Sequence, residues 1–428
     1  MKPYPAYKAT STTWLGEVPA HWDVKMLKHL GHFKAGAGFP IEHQGVPGEE
    51  FHFFKVKDIE ASTDRCWMTE SDSTVSVEIA KNLGANIFPK ETIVFAKVGA
   101  ALLLNRFRML GLPSCIDNNM MGFSITENSV LPRFMWSAMQ RINFREFANP
   151  GPVPSLNETQ VSNLYFALPP YVEQETIAAY LDRETARIDE LIREKEGLID
   201  TLREYRQATI SEVVTQGLDP AATKKPSGVP WLGDVPAHWG LKRLKFHVEQ
   251  VGEKTSEPLA GVAYIGLEHI ESGTGKFISS MDGTQTESES TVSHFRVGDV
   301  LFGKLRPYLA KAVIAYGEGV CTTELLVLRP HSMDSGYLLR CLLLDGFIKT
   351  VDASTFGAKM PRADWTFISN LQLPEPPVVE QQAIAAYLDR ETARIDKLLD
   401  HVQDEIKLLQ ELRAATITDA VTGKIQVS

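Results

Sequence analysis

The sequence predicts an α+β chain: two globules of mixed strands and helices, separated by two long helices that pair antiparallel as a coiled coil, under an internal pseudo-two-fold repeat. Three observations carry this expectation. WLGEVPAHWDVKMLK at Trp14–Lys28 recurs as WLGDVPAHWGLKRLK at Trp231–Lys245, with eleven of fifteen positions identical. IAAYLDRETARID at Ile177–Asp189 recurs unchanged at Ile384–Asp396. Each copy of this second block opens a proline-free run with apolar residues at alternating three- and four-residue steps, the spacing of a helix seam. Self-similarity at a fixed offset is the mark of a repeated architecture.

The first seam reads Ile188, Leu191, Leu198, Leu202 and Tyr205, with Lys195 taking one seam position. The second reads Ile395, Leu398, Val402, Leu409 and Leu412, with Glu405 in the corresponding role. The runs extend over about 172–216 and 379–422, each roughly 65 Å at 1.5 Å per residue. Prolines precede both starts, in LPPYVEQ at Leu168–Gln174 and LPEPPVVEQ at Leu373–Gln381, with an acidic residue in the first turn. Gly217 and Gly423 supply the stops.

The chain therefore divides into a first globule at 1–171, a helix at 172–216, a turn-rich linker with the second globule at 217–378, and a helix with a short tail at 379–428. In the globules, strands are expected at Phe53–Ile59, Thr92–Ala96, Ala263–Leu267, Asp299–Phe302, Lys311–Ala315 and Glu324–Leu328. Helical stretches are expected within Pro132–Phe147 and Ser335–Ile348.

The 428 residues are enough for two to four domains. The net charge of −10 argues against a polybasic coat over the whole chain. The charge is unevenly spread. Residues 172–216 hold six basic against eleven acidic residues and 379–428 hold six against nine, whereas 1–171 hold sixteen of each and 217–378 sixteen against eighteen. The globules are thus close to neutral, and local basic loops can still face phosphate. No apolar run approaches the ~18 residues of a membrane span. Cys66, Cys115, Cys321 and Cys341 lie far apart with no metal or disulfide spacing, which fits a reducing cytoplasm.

Catalytic motifs fail on their chemistry. Gly298–Lys304 has phosphate-loop spacing, but Leu305 replaces the magnesium-binding hydroxyl and the loop is an apolar strand. LPPY at Leu168–Tyr171 lacks the acceptor that an adenine-methylating Asn/Asp-Pro-Pro-Tyr motif needs. Gly36 and Gly38 form only an isolated G-x-G. No zinc-protease motif or nucleophile elbow is present. The sequence gives no catalytic residue and no metal ligand.

The duplicated, interleaved blocks resemble the specificity subunit of type I restriction–modification enzymes over nearly the whole chain. The resemblance implies two target-recognition domains, each reading one half of a bipartite double-stranded DNA site. It implies two long helices that hold the domains apart as an antiparallel pair and dock two modification (methyltransferase) subunits; from the geometry of such a pair, helix length is expected to set the half-site spacing. Restriction subunits are possible further partners, and no membrane is involved. S-adenosylmethionine, and ATP with Mg²⁺, belong on those partners; this chain is expected to hold no cofactor and to be non-catalytic. The alternative readings are a helical protein–protein adaptor with two ligand-binding domains, and a methyltransferase carrying its own recognition domains.

DNA-contact candidates are basic and amide side chains in turns after the strands. They are Lys55, Lys57, Lys97, Asn105, Arg106 and Arg108 in the first globule, and Lys304, Arg306, Lys311 and Lys359 in the second. Partner-docking candidates are the repeated charges Asp182, Arg183, Glu184, Arg187 and Asp189, with their copies Asp389, Arg390, Glu391, Arg394 and Asp396. Seam packing does not require these charges to match. The competing explanation is that they pair within the helices, or that a recent duplication has not drifted. Trp14, Trp22, Trp231 and Trp239 are read as packing where each globule meets a helix end, since aromatic residues identical in both copies suit different targets poorly.

Overall fold

The computed structural model describes residues 2–10, 12, 15–61, 65–255, 262–278, 291–357 and 360–427. Trp14 and Lys359 lie outside the described residues. The long helices are Tyr171–Gln216 and Val378–Val421, within a residue or two of expectation. At 1.5 Å per residue the first is about 69 Å long. Two compact units form, one from Met1–Glu196 with Asp404–Ser428, the other from Gly197–Gln403. Each long helix is therefore divided between the units, where the sequence segments it as an element of its own.

In the first unit, a five-stranded sheet runs in the order Gly31–Ala35, Met120–Ile125, Ile93–Ala96, Phe107–Leu110, Trp67–Met68. A second sheet pairs Phe51–Phe54 in parallel with Ser114–Ile116 and antiparallel with Thr74–Val75. The expected strand Phe53–Ile59 is thus corrected. The strand ends at Phe54, and Val56–Ala61 is a helix whose turn Asp58 secures by accepting a hydrogen bond from the Lys55 amide. The alternation of apolar residues had hidden this short-range cap. One face of the larger sheet packs Phe33, Phe95, Phe107 and Phe123 against Pro132–Met139 and against Ile177 and Leu181 of the first long helix. Ile417, Ala420 and Val421 close the same core from the second long helix.

The second unit repeats this plan with four strands in the order Val248–Gln250, Leu325–Pro330, Val300–Gly303, Ala312–Ile314. Ser335–Leu342 and Asp345–Ala353 pack on it. Ile384 and Leu388 come from the start of the second long helix, Ile210 and Val214 from the end of the first.

The two repeated sequence blocks meet in each unit. His21 Nε2 lies 2.9 Å from Glu173 Oε2, and His238 Nε2 lies 2.9 Å from Glu380 Oε2. Trp22 and Trp239 are fully buried beside Gly423 and Gly217, the left-handed residues that stop the helices. A Cβ on Gly423 would stand 2.3 Å from Pro19 Cγ, so only glycine fits this stop. Next to each Glu, a buried glutamine pegs neighbouring loops. Gln174 accepts from the Leu131 amide and donates to the Ser129 and Pro169 carbonyls, each at 2.8 Å. Gln381 accepts from the Asp334 amide and donates to the Pro376 carbonyl, again at 2.8 Å. Buried amides of this kind must be satisfied, which fixes the residue type in both copies.

The seam departs from the expected one by a single residue. Ile188, Ile192, Ile199 and Arg206 are buried, whereas Leu198 and Tyr205 are substantially exposed. In the second helix Ile395 and Val402 are buried as read, but Leu398 and Leu412 face outward. Adjacent apolar pairs such as Leu191–Ile192 and Leu198–Ile199 satisfy either phase, and periodicity alone cannot choose between them. Lys195, admitted as an irregular seam residue, pairs with Glu405 at 2.7 Å within the first unit. The two polar exceptions in the patterns are each other's partners.

Candidate nucleic-acid and partner interfaces

The repeated aspartates are engaged inside the chain. Asp182 accepts from Arg133 Nε at 2.8 Å, and Asp389 from Arg340 at 2.6 Å. Asp189 accepts from Arg65 at 2.6 Å and from Arg413 at 3.0 Å, both within the first unit. Asp396 is bound by Arg206 at 3.1 Å and by Lys276, both within the second. Each helix block therefore uses one aspartate to hold its own globule, and a second to join that globule to the other helix. Arg133 and Arg340 stand 207 residues apart, as do Arg206 and Arg413. Sequence reading alone missed these partners, although that constant offset is a signal that could have found them. Arg65 and Lys276 lie in divergent stretches and carried none.

Of the remaining repeated charges the arginines face outward, while Glu184 and Glu391 are partly buried. Arg183 and Arg187 are among the most exposed residues of the first helix, with Glu184 between them at 3.2 and 3.8 Å. Arg390 is exposed, and Arg394 pairs with Glu391 one turn away. Exposed pairs on one helix contribute little to stability. Ala179 and Ala186, with their copies Ala386 and Ala393, are exposed on the same stripe at steps of three and four residues.

Of the DNA-contact candidates, several serve the fold. Asn105 adopts a left-handed backbone (φ 51°) and its side chain accepts from the Phe144 amide at 2.9 Å. Arg108 donates to the Phe107 carbonyl, and Lys311 to the Leu267 carbonyl at 2.6 Å. Lys55 donates to Gln44, Lys57 lies 3.5 Å from Asp72, and Arg106 pairs with Glu60 at 2.9 Å. Lys97, Lys304 and Arg306 remain.

These three sit on a backbone clamp built alike in both units. In the first, the Gly99 amide donates to the Pro154 carbonyl at 2.8 Å, and the Leu156 amide to the Lys97 carbonyl at 2.9 Å. In the second, the Arg306 amide donates to the Pro361 carbonyl at 2.8 Å, and the Ala363 amide to the Lys304 carbonyl at 2.9 Å. Narrow hairpins, Asn149 bridged to Ser155 and Phe356 bridged to Arg362, complete the two clamps. Asn157 and Asp364 then cap the short helices that follow. In the second unit an open groove of about 540 Å³ beside the hairpin is lined by Gln250, Lys304, Phe356, Met360 and Arg362 among others.

Among the described residues no group of three or more His, Cys, Asp or Glu is arranged to hold a metal ion. No helix there is long and apolar enough to cross a membrane. All four cysteines are buried and none forms a disulfide, and burial pushes the Cys115 and Cys321 thiols up to about 11 and 12. Such thiols are poor nucleophiles.

Residues 19–199, in the first unit and the start of the second, match the model described as "Type I restriction modification DNA specificity domain". The chain is similar to specificity subunits of type I restriction enzymes. It is 25% identical over 294 residues to the type I restriction enzyme EcoDI specificity subunit of Escherichia coli, covering 64% of this chain and 65% of that one. The MjaVIII specificity subunit of Methanocaldococcus jannaschii matches at 23%, again over 65% of its length, so the chain spans just under two thirds of both relatives. The MjaIX specificity subunit of the same organism is 19% identical over 97% of this chain and 96% of its own. A solved structure concerned with complex assembly and conformational transition of the type I R-M system shares the fold. Its TM-score is 0.69 at 16% identity, covering 95% of this chain and 99% of that one.

Proposed function

We propose that this chain is the non-catalytic DNA-sequence-specificity subunit of a type I restriction–modification complex. Each globule reads one half of a bipartite double-stranded site, the long helices dock two modification subunits, and helix length sets the spacing between half-sites. S-adenosylmethionine, and ATP with Mg²⁺, would be bound by the partner subunits.

The observation that carries this reading is a contrast between surfaces. Ala179, Arg183, Ala186 and Arg187 are exposed and identical to Ala386, Arg390, Ala393 and Arg394. Immediately downstream, equivalent exposed positions reverse charge, Glu190 against Lys397 and Arg193 against Asp400. An undrifted duplication would have preserved those as well. Matching surface without matching internal need supports one kind of partner met twice, on an arginine stripe with small residues that admit close approach. The repeated aspartates Asp182, Asp189, Asp389 and Asp396 leave this docking set, since their intrachain bonds already account for them.

The test is methylation mapping in a host carrying this chain with its modification partner. A bipartite adenine-methylated motif is expected, and replacing residues 11–170 should change one half of it only. Purified complex should bind DNA selectively, with affinity falling steeply as salt rises. Salt-insensitive capture of protein, with no selective DNA binding, would favour the adaptor reading instead.

A further inference from the structure

The two clamps share a backbone and differ in their side chains. Lys97 and Lys304 are the same residue, both half-exposed, at the same place in the clamp. Around them the paired positions diverge: Gly99 against Arg306, Ala101 against Tyr308, Asn149 against Phe356, Val153 against Met360. Contacts to phosphate carry no sequence information, so the same lysine can serve two half-sites. Contacts to base edges must differ when the half-sites differ.

Arg306 is the sharpest of these differences. Its backbone is left-handed at φ 50° and ψ 63°, a conformation that is strained for an L-residue. The same place in the first unit holds Gly99 at φ 77°, where that conformation is free. Strain that glycine would remove persists here under a long cationic side chain. Arg306 is exposed, and its guanidinium makes no hydrogen bond or ion pair among the described residues. Tyr308, Phe356 and Met360 nearby expose about half or more of their surface. The acidic groups at hand are occupied: Glu324 is held by Arg362 through two hydrogen bonds, and Asp364 caps the Thr366 amide.

The geometry points to Arg306 as a specificity-determining residue of the second recognition domain, reading a base pair in the major groove of double-stranded DNA, with Lys304 on the neighbouring phosphate. A guanidinium meets guanine O6 and N7 through two parallel hydrogen bonds, and apolar neighbours suit a thymine methyl. The strained backbone has a purpose in this account, since it fixes the base of a flexible side chain at a point clamped by Pro361. Gly99 supplies no side chain, so the first half-site is read by other residues on the same frame. The inference rests on the DNA-reading function proposed above.

The experiment uses the complex with its modification subunits, reading the methylated motif across a genome for the native chain, Arg306→Gly and Arg306→Lys. Arg306→Gly should leave thermal stability unchanged or raise it, because glycine relaxes the backbone. It should relax discrimination about ten- to a hundredfold at one base pair of one half-site, leaving the other half unchanged. Arg306→Lys keeps the charge but not the paired hydrogen bonds and should relax the same position. An unchanged motif in both variants, or a uniform fall in methylation with the motif intact, overturns the assignment while the DNA reading stands. A native complex that shows no sequence-selective methylation overturns the reading beneath it.

Discussion

Arg413 donates to Asp189 across 224 residues of sequence, Nε to Oδ1 at 3.0 Å, and both side chains are more than four-fifths buried. Arg65 binds the same carboxylate from the globule, so one aspartate ties a sheet domain and two helices into a single unit. Arg206, Lys276 and Asp396 repeat the arrangement in the second unit.

Removing the charge from either aspartate leaves a mostly buried arginine without its partner. Asp189→Asn and Asp396→Asn should each cost about 1–3 kcal/mol of stability, measured by urea unfolding. The loss from Asp189→Asn should shrink markedly when Arg413 is replaced by methionine in the same chain. Additive losses would mean that the pair is not coupled.

His247 gives the second unit a dependence on pH. It is fully buried, and burial holds its imidazole below the ordinary value of 6.5, with the Glu375 carboxylate partly opposing. The unfolded chain therefore binds the proton more readily than the folded one. Stability should be constant above about pH 7 and fall as pH drops through the unfolded value. Thermal melts at pH 7.5 and 5.5 should differ less in His247→Asn than in the native chain.

Reversing the duplicated arginine stripe should separate assembly from folding. Arg183→Glu with Arg187→Glu, or Arg390→Glu with Arg394→Glu, should leave the melting curve within about 0.5 kcal/mol of native, as surface changes usually do. Each pair should remove one of two modification subunits, read as stoichiometry by sedimentation. Full occupancy in the quadruple variant would place docking elsewhere.

Helix length can be tested as a ruler. Seven residues inserted beside Ile199 and again beside Ile406 preserve the seam and lengthen each helix by about 10 Å. At ~3.4 Å per base step this corresponds to about three base pairs of added spacer, with both half-sites unchanged. A methylated motif with its original spacer would show that helix length does not set the spacing.

Most of the architecture was legible because it rests on local or repeated signals. The alternation of globule and helix, the helix ends at prolines and glycines, and the pairing of repeated blocks all follow from short-range rules applied twice. Even Arg133 and Arg340 were visible in principle, through the constant offset of 207. Of the tryptophans in the repeated blocks, Trp22 and Trp239 pack against the helix stops as read, whereas Trp231 packs edge-on against Phe347 inside the second globule and Trp14 lies outside the described residues.

The sequence by itself determined that two long helices exist and that a charged block recurs on them. Only the tertiary structure decided which stripe of each helix is buried and what each repeated charge binds. Helical periodicity is an angle measured along one chain, and neighbouring apolar residues such as Leu198 and Ile199 leave it uncertain by one step. The phase is chosen by groups far away in sequence, when Asp396 draws Arg206 inward and Tyr205 is left in water. Charge obeys the same limit: a carboxylate's role depends on which guanidinium the fold brings within 3 Å, and that distance exists only once the chain is folded.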